Sequence, residues 1–398
     1  MNALTILNNT LSHVTPNMHK VRYQALHACV ASLLGGASAS VTGIGRGIRS
    51  PAYEIHCIKR ADRLVSNRHL FAELPYIYTA MAYLFGSMSS TPVVLVDWSD
   101  LDEYKRHFLL RASVVLSGRS ITLYQEVHPL KTKEKPAVHR RFLIQLKAML
   151  GEACQPIIVT DAGFKTPWFR EVLALGWHFV GRTRRPNFYC VTDDTWQCIT
   201  QLYKQATPKP KSYEGQINRS QPLACRLVIY KEPSKGRHRM NRSGQPKRCK
   251  ASIIPAKRAT DPWLISTSLP YCSTLAKRTV KIYHTRMQIE EGFRDMKSRQ
   301  YGLGFEHNRT IEIKRLTILI LLATLASLVL ILLGLTLQLA KLSGRYQANT
   351  TKTKRVLSLH YLGLRAWADP RLRISKQHWH SAIEQLKNYI QEATFAAN

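Results

Sequence analysis

The segment Lys281–Lys297 reads KIYHTRMQIEEGFRDMK. Ile282, Ile289, Phe293 and Met296 recur at helical spacing, and the pattern predicts one long helix from about Leu275 to Ser298. At 100° per residue, Tyr283, Arg286, Glu290, Arg294 and Lys297 share a stripe about 80° wide beside that apolar flank. Glu291 and Asp295 fall elsewhere, so the stripe holds one acid among bases. That composition suits a metal ligand flanked by phosphate contacts. It also suits a solvated face in which Arg286 and Glu290 form an i,i+4 pair.

A helix with one apolar flank needs a sheet to pack on, and the chain upstream supplies strands. Val93–Val96 is an apolar run that ends in Asp97. Leu109–Leu116 and Ser120–Val127 follow, joined by Ser117-Gly118-Arg119, which reads as a hairpin. A helix around Val138–Leu150 leads to a second apolar strand, Pro156–Thr160, which ends in Asp161; another helix and a strand at Trp177–Val180 come next. Strands alternating with helices after a hairpin indicate an α/β fold with a mixed sheet. If the two Asp-ending strands are parallel neighbours, the carboxylates lie close together. Like charges that near are unstable without a proton or cation between them, and a hard divalent ion such as Mg2+ is the natural one. Taken singly, each Asp reads as a strand-end turn residue or a helix cap.

The rest of the chain frames this core. Residues 1–90 read as helical, with apolar spacing through Tyr23–Leu34 and Tyr76–Phe85 and basic, Asn-bearing faces that suit a DNA-reading domain. Gly43, Gly45 and Gly47 read as a flexible turn between helices, because no strand precedes them and no Gly-Lys-Ser/Thr follows. Residues 195–260 hold 15 Lys and Arg but only Glu214 and Glu232 as acids, and read as a basic strand-and-loop insertion with a strand at Leu223–Tyr230. From Leu316 to Ala340 the chain has no charge, which is long enough for a membrane span. A helix buried on all sides in a large core gives the same signal and is the favoured reading. The tail to Asn398 is basic and helical.

Composition sets the class of partner. The 398 residues carry 58 Lys and Arg against 25 Asp and Glu, a formal charge of +33. With 45% apolar residues the chain has material for cores, which excludes a disordered basic tail or a small disulfide scaffold. A polyanion, nucleic acid first, is the partner such a charge selects. The eight cysteines include no Cys-x-x-Cys pair, so zinc ribbons and redox motifs find no support. The N-terminal residues lack a basic stretch followed by an apolar core, and a reduced cytoplasmic setting is expected.

LVDWSD around Asp97, VTDAGF around Asp161 and YHTRMQIEEGFRDMK resemble the DDE transposases of bacterial insertion sequences. The last is the specific match. Tyr283, Arg286, Glu290 and Lys297 stand at every spacing of the Y-R-E-K signature of one branch, the cut-and-paste, hairpin-forming insertion-sequence family four. The resemblance implies an RNase H-like catalytic domain in two parts, residues 91–194 and 261–345, interrupted by the β-rich insertion 195–260. It adds a helical DNA-binding domain at 1–90 and a helical C-terminal region at 346–398. It further implies Asp97, Asp161 and Glu290 as catalytic residues holding two Mg2+ ions, with Mn2+ able to substitute. Tyr283, Arg286, Lys297 and Arg294 would contact DNA. Trp263 would stack a flipped base and Arg182 would sit at the hairpin, although Trp263 also reads as an ordinary core residue. The partners implied are the inverted repeats at the element's ends and a target duplex, with the protein dimeric in a paired-end complex, off the membrane, at the bacterial nucleoid.

Three other readings fit parts of the sequence. One is a metal-dependent nuclease of the same fold without strand transfer, and another a non-catalytic DNA-binding protein. The third is a single-span membrane protein with a basic domain. A tyrosine recombinase is not among them, since Tyr283 lacks the set of Arg and His that such a nucleophile needs.

Overall fold

Of the chain, the computed structural model describes residues 3–191, 195–233, 241, 243, 245–246, 249, 252, 261–348, 350–351 and 355–395. The backbone divides into two compact units. One is Met1–Gln155 with Met287–Thr394, and the other is Pro156–Arg286 with Phe395–Asn398.

The first unit opens with five helices: α1 (Ala3–Val14), α2 (Lys20–Leu34), α3 (Val41–Gly47), α4 (Glu54–Val65) and α5 (Arg68–Met81), the last running into a π-turn at Ala82–Gly86. The glycine cluster expected as a turn is itself helix α3. The Ser40 hydroxyl caps it by accepting the Gly43 N–H at 3.1 Å. Glycine is needed there for approach rather than for looseness: a Cβ on Gly45 would stand 2.4 Å from Ile58 Cα of α4.

Three antiparallel strands follow in the order β3-β2-β1: β1 (Val93–Asp100), β2 (His107–Val115) and β3 (Ser120–Pro129). The Ser117–Arg119 hairpin stands as expected. Asp97, however, does not end its strand. The β2 partner carries the ladder on to Asp100↔Phe108, so Asp97 lies inside β1, opposite Arg111. Helix α6 (Pro136–Leu150) completes this stretch.

The second unit is built on β4 (Ile157–Thr160), α7 (Thr166–Ala174) and β5 (His178–Thr183), a parallel pair joined by a helical crossover. Then come β6 (Phe188–Cys190), β7 (Gln197–Cys198), α8 (Ile199–Tyr203), β8 (Lys211–Ile217), β9 (Leu223–Tyr230), β10 (Trp263–Thr267) and α9 (Leu275–His284). Their order is β4-β5-β10-β9-β8-β6-β7. The basic segment thus contributes strands β7 to β9, while most of residues 234–260 lie outside the described residues. β5 is longer than its apolar run predicts, because β10 pairs with it through Leu264↔Thr183. Arg182 is therefore within the strand, not after it.

The single long helix predicted over 275–298 is two. α9 ends at His284 and α10 spans Met287–Lys297. Between them the backbone tightens: the Thr285 N–H donates to Ile282 O at 3.0 Å and the Arg286 N–H to Tyr283 O at 3.1 Å, both three residues back. The Thr285 hydroxyl donates to the same Ile282 carbonyl at 2.6 Å. A side-chain hydroxyl competing for a helical carbonyl is a property of Thr that apolar periodicity does not register.

The first unit then resumes with α10, α11 (Ile313–Leu339), α12 (Leu359–Trp367) and α13 (Lys376–Phe395). α11 carries the uncharged run that begins at Leu316. It is long and apolar enough to cross a membrane, yet 94% of its most apolar window is buried inside the protein. It is a core helix, packed against β3 and α12.

Candidate active site

In the first unit the carboxylates of interest lie on β1 and on α10, which packs against it. Asp97 is 9% exposed, and its Oδ1 accepts the Trp98 backbone N–H at 2.8 Å. The opposite residue, Arg111, is buried. Its Nε donates to Gln125 Oε1 at 2.9 Å and its guanidinium lies 4.9 Å over the Phe293 ring of α10, while burial pushes its pKa down to about 10. Ile289, Phe293 and Met296 are the buried face of α10, as the spacing predicts, and Glu290 is exposed on its first turn. At the far end Lys297 Nζ donates to Asp100 Oδ1 at 3.2 Å and ties α10 to the end of β1. Arg294 pairs with Glu291.

Two features here escaped the sequence reading. Asp295 is not a spare acid but a buried one, with Arg119 Nε donating to it at 2.5 Å. Asp100 was written in the LVDWSD motif and became visible only because β1 extends past Asp97. The Trp98 side chain is also anchored: its indole N–H donates to His139 Nε2 at 3.1 Å, and its ring meets His128 edge-on at 5.4 Å. His139 must be neutral to accept that bond, and burial drives its pKa from 6.5 down to about 4. An unfolded chain therefore binds a proton between pH 6.5 and about 4 that the folded chain refuses. Stability from this group is complete above pH 6.5 and is lost as pH falls through that window. Thermal melting should show this slope, and His139→Gln, which keeps an acceptor for the indole without titrating, should flatten it. An unchanged slope would remove His139 from the account.

In the second unit Asp161 directly follows β4. Its Oδ1 accepts the Gly163 N–H at 2.8 Å, an Asx-type turn that fixes the carboxylate at the strand's C-terminal end. Tyr283 of α9 is 4% exposed. Burial raises its phenol pKa, opposed by Arg286 and Arg182 and reinforced by the Asp161 carboxylate. The Arg286 guanidinium lies 5.9 Å from the Tyr283 ring centroid. Trp263, half-buried at the start of β10, meets Tyr283 edge-on at 5.1 Å, and His284 lies 4.8 Å away. Arg182 stands 5.7 Å over the same indole, with Nη2 donating to Pro262 O at 3.3 Å. Burial, with Arg184 beside it, lowers the Arg182 pKa. The Arg182 Nε is buried and has no hydrogen-bond partner among the described residues. Four residues singled out from the sequence (Arg182, Trp263, Tyr283 and Arg286) thus converge around Asp161's strand end, and Tyr230 and His284 join them unannounced. A desolvated guanidinium with an unsatisfied Nε, set against an aromatic face, has the chemistry to take a phosphate and a base.

The donor chemistry of Asp97, Asp161 and Glu290 fits a hard divalent cation, since carboxylate oxygens are its preferred ligands. Among the described residues, no group of three or more His, Cys, Asp or Glu stands close enough together to hold a metal ion.

The model of the family described as the transposase DDE domain matches residues 88–329, and the chain belongs to that family. The matched span contains Asp97, Asp161 and Glu290 and all of the Y-R-E-K positions. Members of the family cut and join DNA and generally depend on divalent metal ions. No curated protein matches the chain.

Proposed function

We propose that this protein is the transposase of a bacterial insertion sequence, working at the nucleoid. In this reading it binds the element's terminal inverted repeats as a dimer in a paired-end complex. It frees the element through a hairpin intermediate and joins it to target DNA. The observation that carries the proposal is the full Y-R-E-K spacing inside a family match that also spans both aspartates.

Asp97, Asp161 and Glu290 are assigned as the ligands of two Mg2+ ions, for which Mn2+ can substitute. When bound, such ions activate the attacking hydroxyl and neutralise charge on the phosphoryl and leaving oxygens. The protein's own groups do the positioning. Arg286 and Arg182 hold the phosphates beside the cut, with the Tyr283 phenol, kept protonated by burial, as a neutral donor. Lys297 and Arg294 of α10 are assigned as further DNA contacts. Trp263 offers its face to a base turned out of the duplex, which relieves the strain of closing a hairpin.

The test uses the full chain, Mg2+ and a duplex carrying the ends of the parent element, with products resolved on a denaturing gel. Nicking followed by a hairpin, then joining to a target plasmid, supports the proposal. Cutting without joining identifies a nuclease instead. Trp263→Ala should leave the first nick within about threefold of normal while hairpin formation falls about 10- to 100-fold, the worth of one stacked base. Equal loss at both steps would show that Trp263 is only part of the core.

A further inference from the structure

We infer that α4 (Glu54–Val65) is the element that reads the bases of the insertion sequence's end, lying in the major groove of duplex DNA; this rests on the transposase reading above. The helix has two distinct faces. Cys57, Ala61, Leu64 and Val65 are buried in the helical layer, while Ile55, His56, Lys59 and Arg63 are exposed within about 100° of arc on the other side. Ile55, an apolar side chain, is 58% exposed. Such a stripe offers donors for guanine O6 and N7 and an apolar contact for a thymine methyl, which is how a helix distinguishes base pairs in that groove.

The surroundings present this face rigidly and without repulsion. α3 crosses α4 where Gly45 meets Ile58. Arg60 Nη2 donates to Gln24 O of α2 at 2.9 Å, which ties the middle of α4 to α2 beside the exposed stripe. The helix carries two acids, and each is neutralised by a cation from another element. Glu54 pairs with Arg46 of α3 at 3.0 Å, and Asp62 with Arg315 of α11 at 2.6 Å. The six-residue connection Ile48–Tyr53 brings exposed Arg49 and Tyr53 to the N-terminal end of α4, where phosphate contacts anchor a helix pair on the duplex.

The experiment measures binding of the full chain to a duplex carrying the element's end and to an unrelated duplex of equal length. The variants are Lys59→Ala, Arg63→Ala and Ile55→Ser, with Lys387→Ala on α13 as a matched loss of surface charge. The substitutions are on exposed side chains, and thermal melting checks that each variant is folded. Lys59→Ala and Arg63→Ala should each weaken end binding about tenfold or more while unrelated DNA loses about two- to threefold. Ile55→Ser should alter preference at one base pair without changing the salt dependence, and Lys387→Ala should leave the end-to-unrelated ratio unchanged. A ratio intact in the α4 variants overturns the inference while leaving the transposase reading standing. So does an intact ratio with a changed oligomeric state, which would make this face a protein interface. A wild-type chain with no preference for the end defeats both.

Discussion

Asp97→Asn, Asp161→Asn and Glu290→Gln should each reduce DNA cleavage by at least about a thousandfold while end binding stays within about threefold of normal. The geometry makes these substitutions clean. Asp97 Oδ1 accepts the Trp98 N–H and Asp161 Oδ1 accepts the Gly163 N–H, and asparagine keeps the accepting oxygen in both cases. Glu290 is exposed on the first turn of α10, and glutamine keeps its length and shape. What each variant removes is one negative charge. Several kcal/mol of transition-state stabilisation depends on that charge where carboxylates hold divalent ions. Binding to the duplex rests on the protein's excess of Lys and Arg, so it should survive and fall steeply with added salt.

The neighbouring acids supply the contrast. Asp100 is already neutralised by Lys297, and Glu291 by Arg294 and Arg119. Asp100→Asn and Glu291→Gln should therefore cut within about tenfold of normal, because exposed ion pairs contribute little. The same denaturing gels read all five variants. A proposed catalytic acid that behaves like Asp100, or an Asp100 variant that behaves like Glu290→Gln, would reassign the site on β1.

How much of this was written in the sequence depends on which physical signal each element sends. Apolar runs and periodicity located the strands near Val93, Ile157 and Leu223 and the helices flanking them. Burial of α11 was legible because charge is absent from Leu316 to its C-terminal end. Strand ends were not: β1 and β5 continue past their apolar runs because β2 and β10 offer ladder partners, and a partner distant in sequence leaves no local mark. The break between α9 and α10 was invisible for the opposite reason. It depends on one Thr hydroxyl, while the apolar period runs through it undisturbed. Among site residues, the chain's scarcity of acids drew attention to Asp97, Asp161 and Glu290. Tyr230 and His284 could not stand out, since nothing but the packing of β9, β10 and α9 brings them to Trp263.

Gly363→Val should destabilise the protein by about 3 kcal/mol or more and lower its yield of folded chain. The reason lies in what covers α11. α12 reaches its backbone through two glycines: a Cβ on Gly363 would stand 2.0 Å from Leu330 O, and one on Gly334 would stand 2.0 Å from Leu359 O. Both obstacles are main-chain carbonyls, which cannot rotate away as a side chain would. A valine must push the helices apart along a seam that buries Leu330, Leu333 and Leu337 on α11 with Leu359, Leu362 and Ala366 on α12. Dense cores have no spare room to absorb that shift. Gly363→Ala should cost less, and the same substitution at Gly344, whose Cβ would meet nothing within 4 Å, should be close to neutral. Denaturant unfolding of the three variants checks the order. The comparison also bears on the membrane-span reading of α11, because a helix that depended on lipid for its cover would be indifferent to the size of residue 363. Loss of folded protein in Gly363→Val without detergent, alongside a normal Gly344→Ala, is the result that a buried core helix requires.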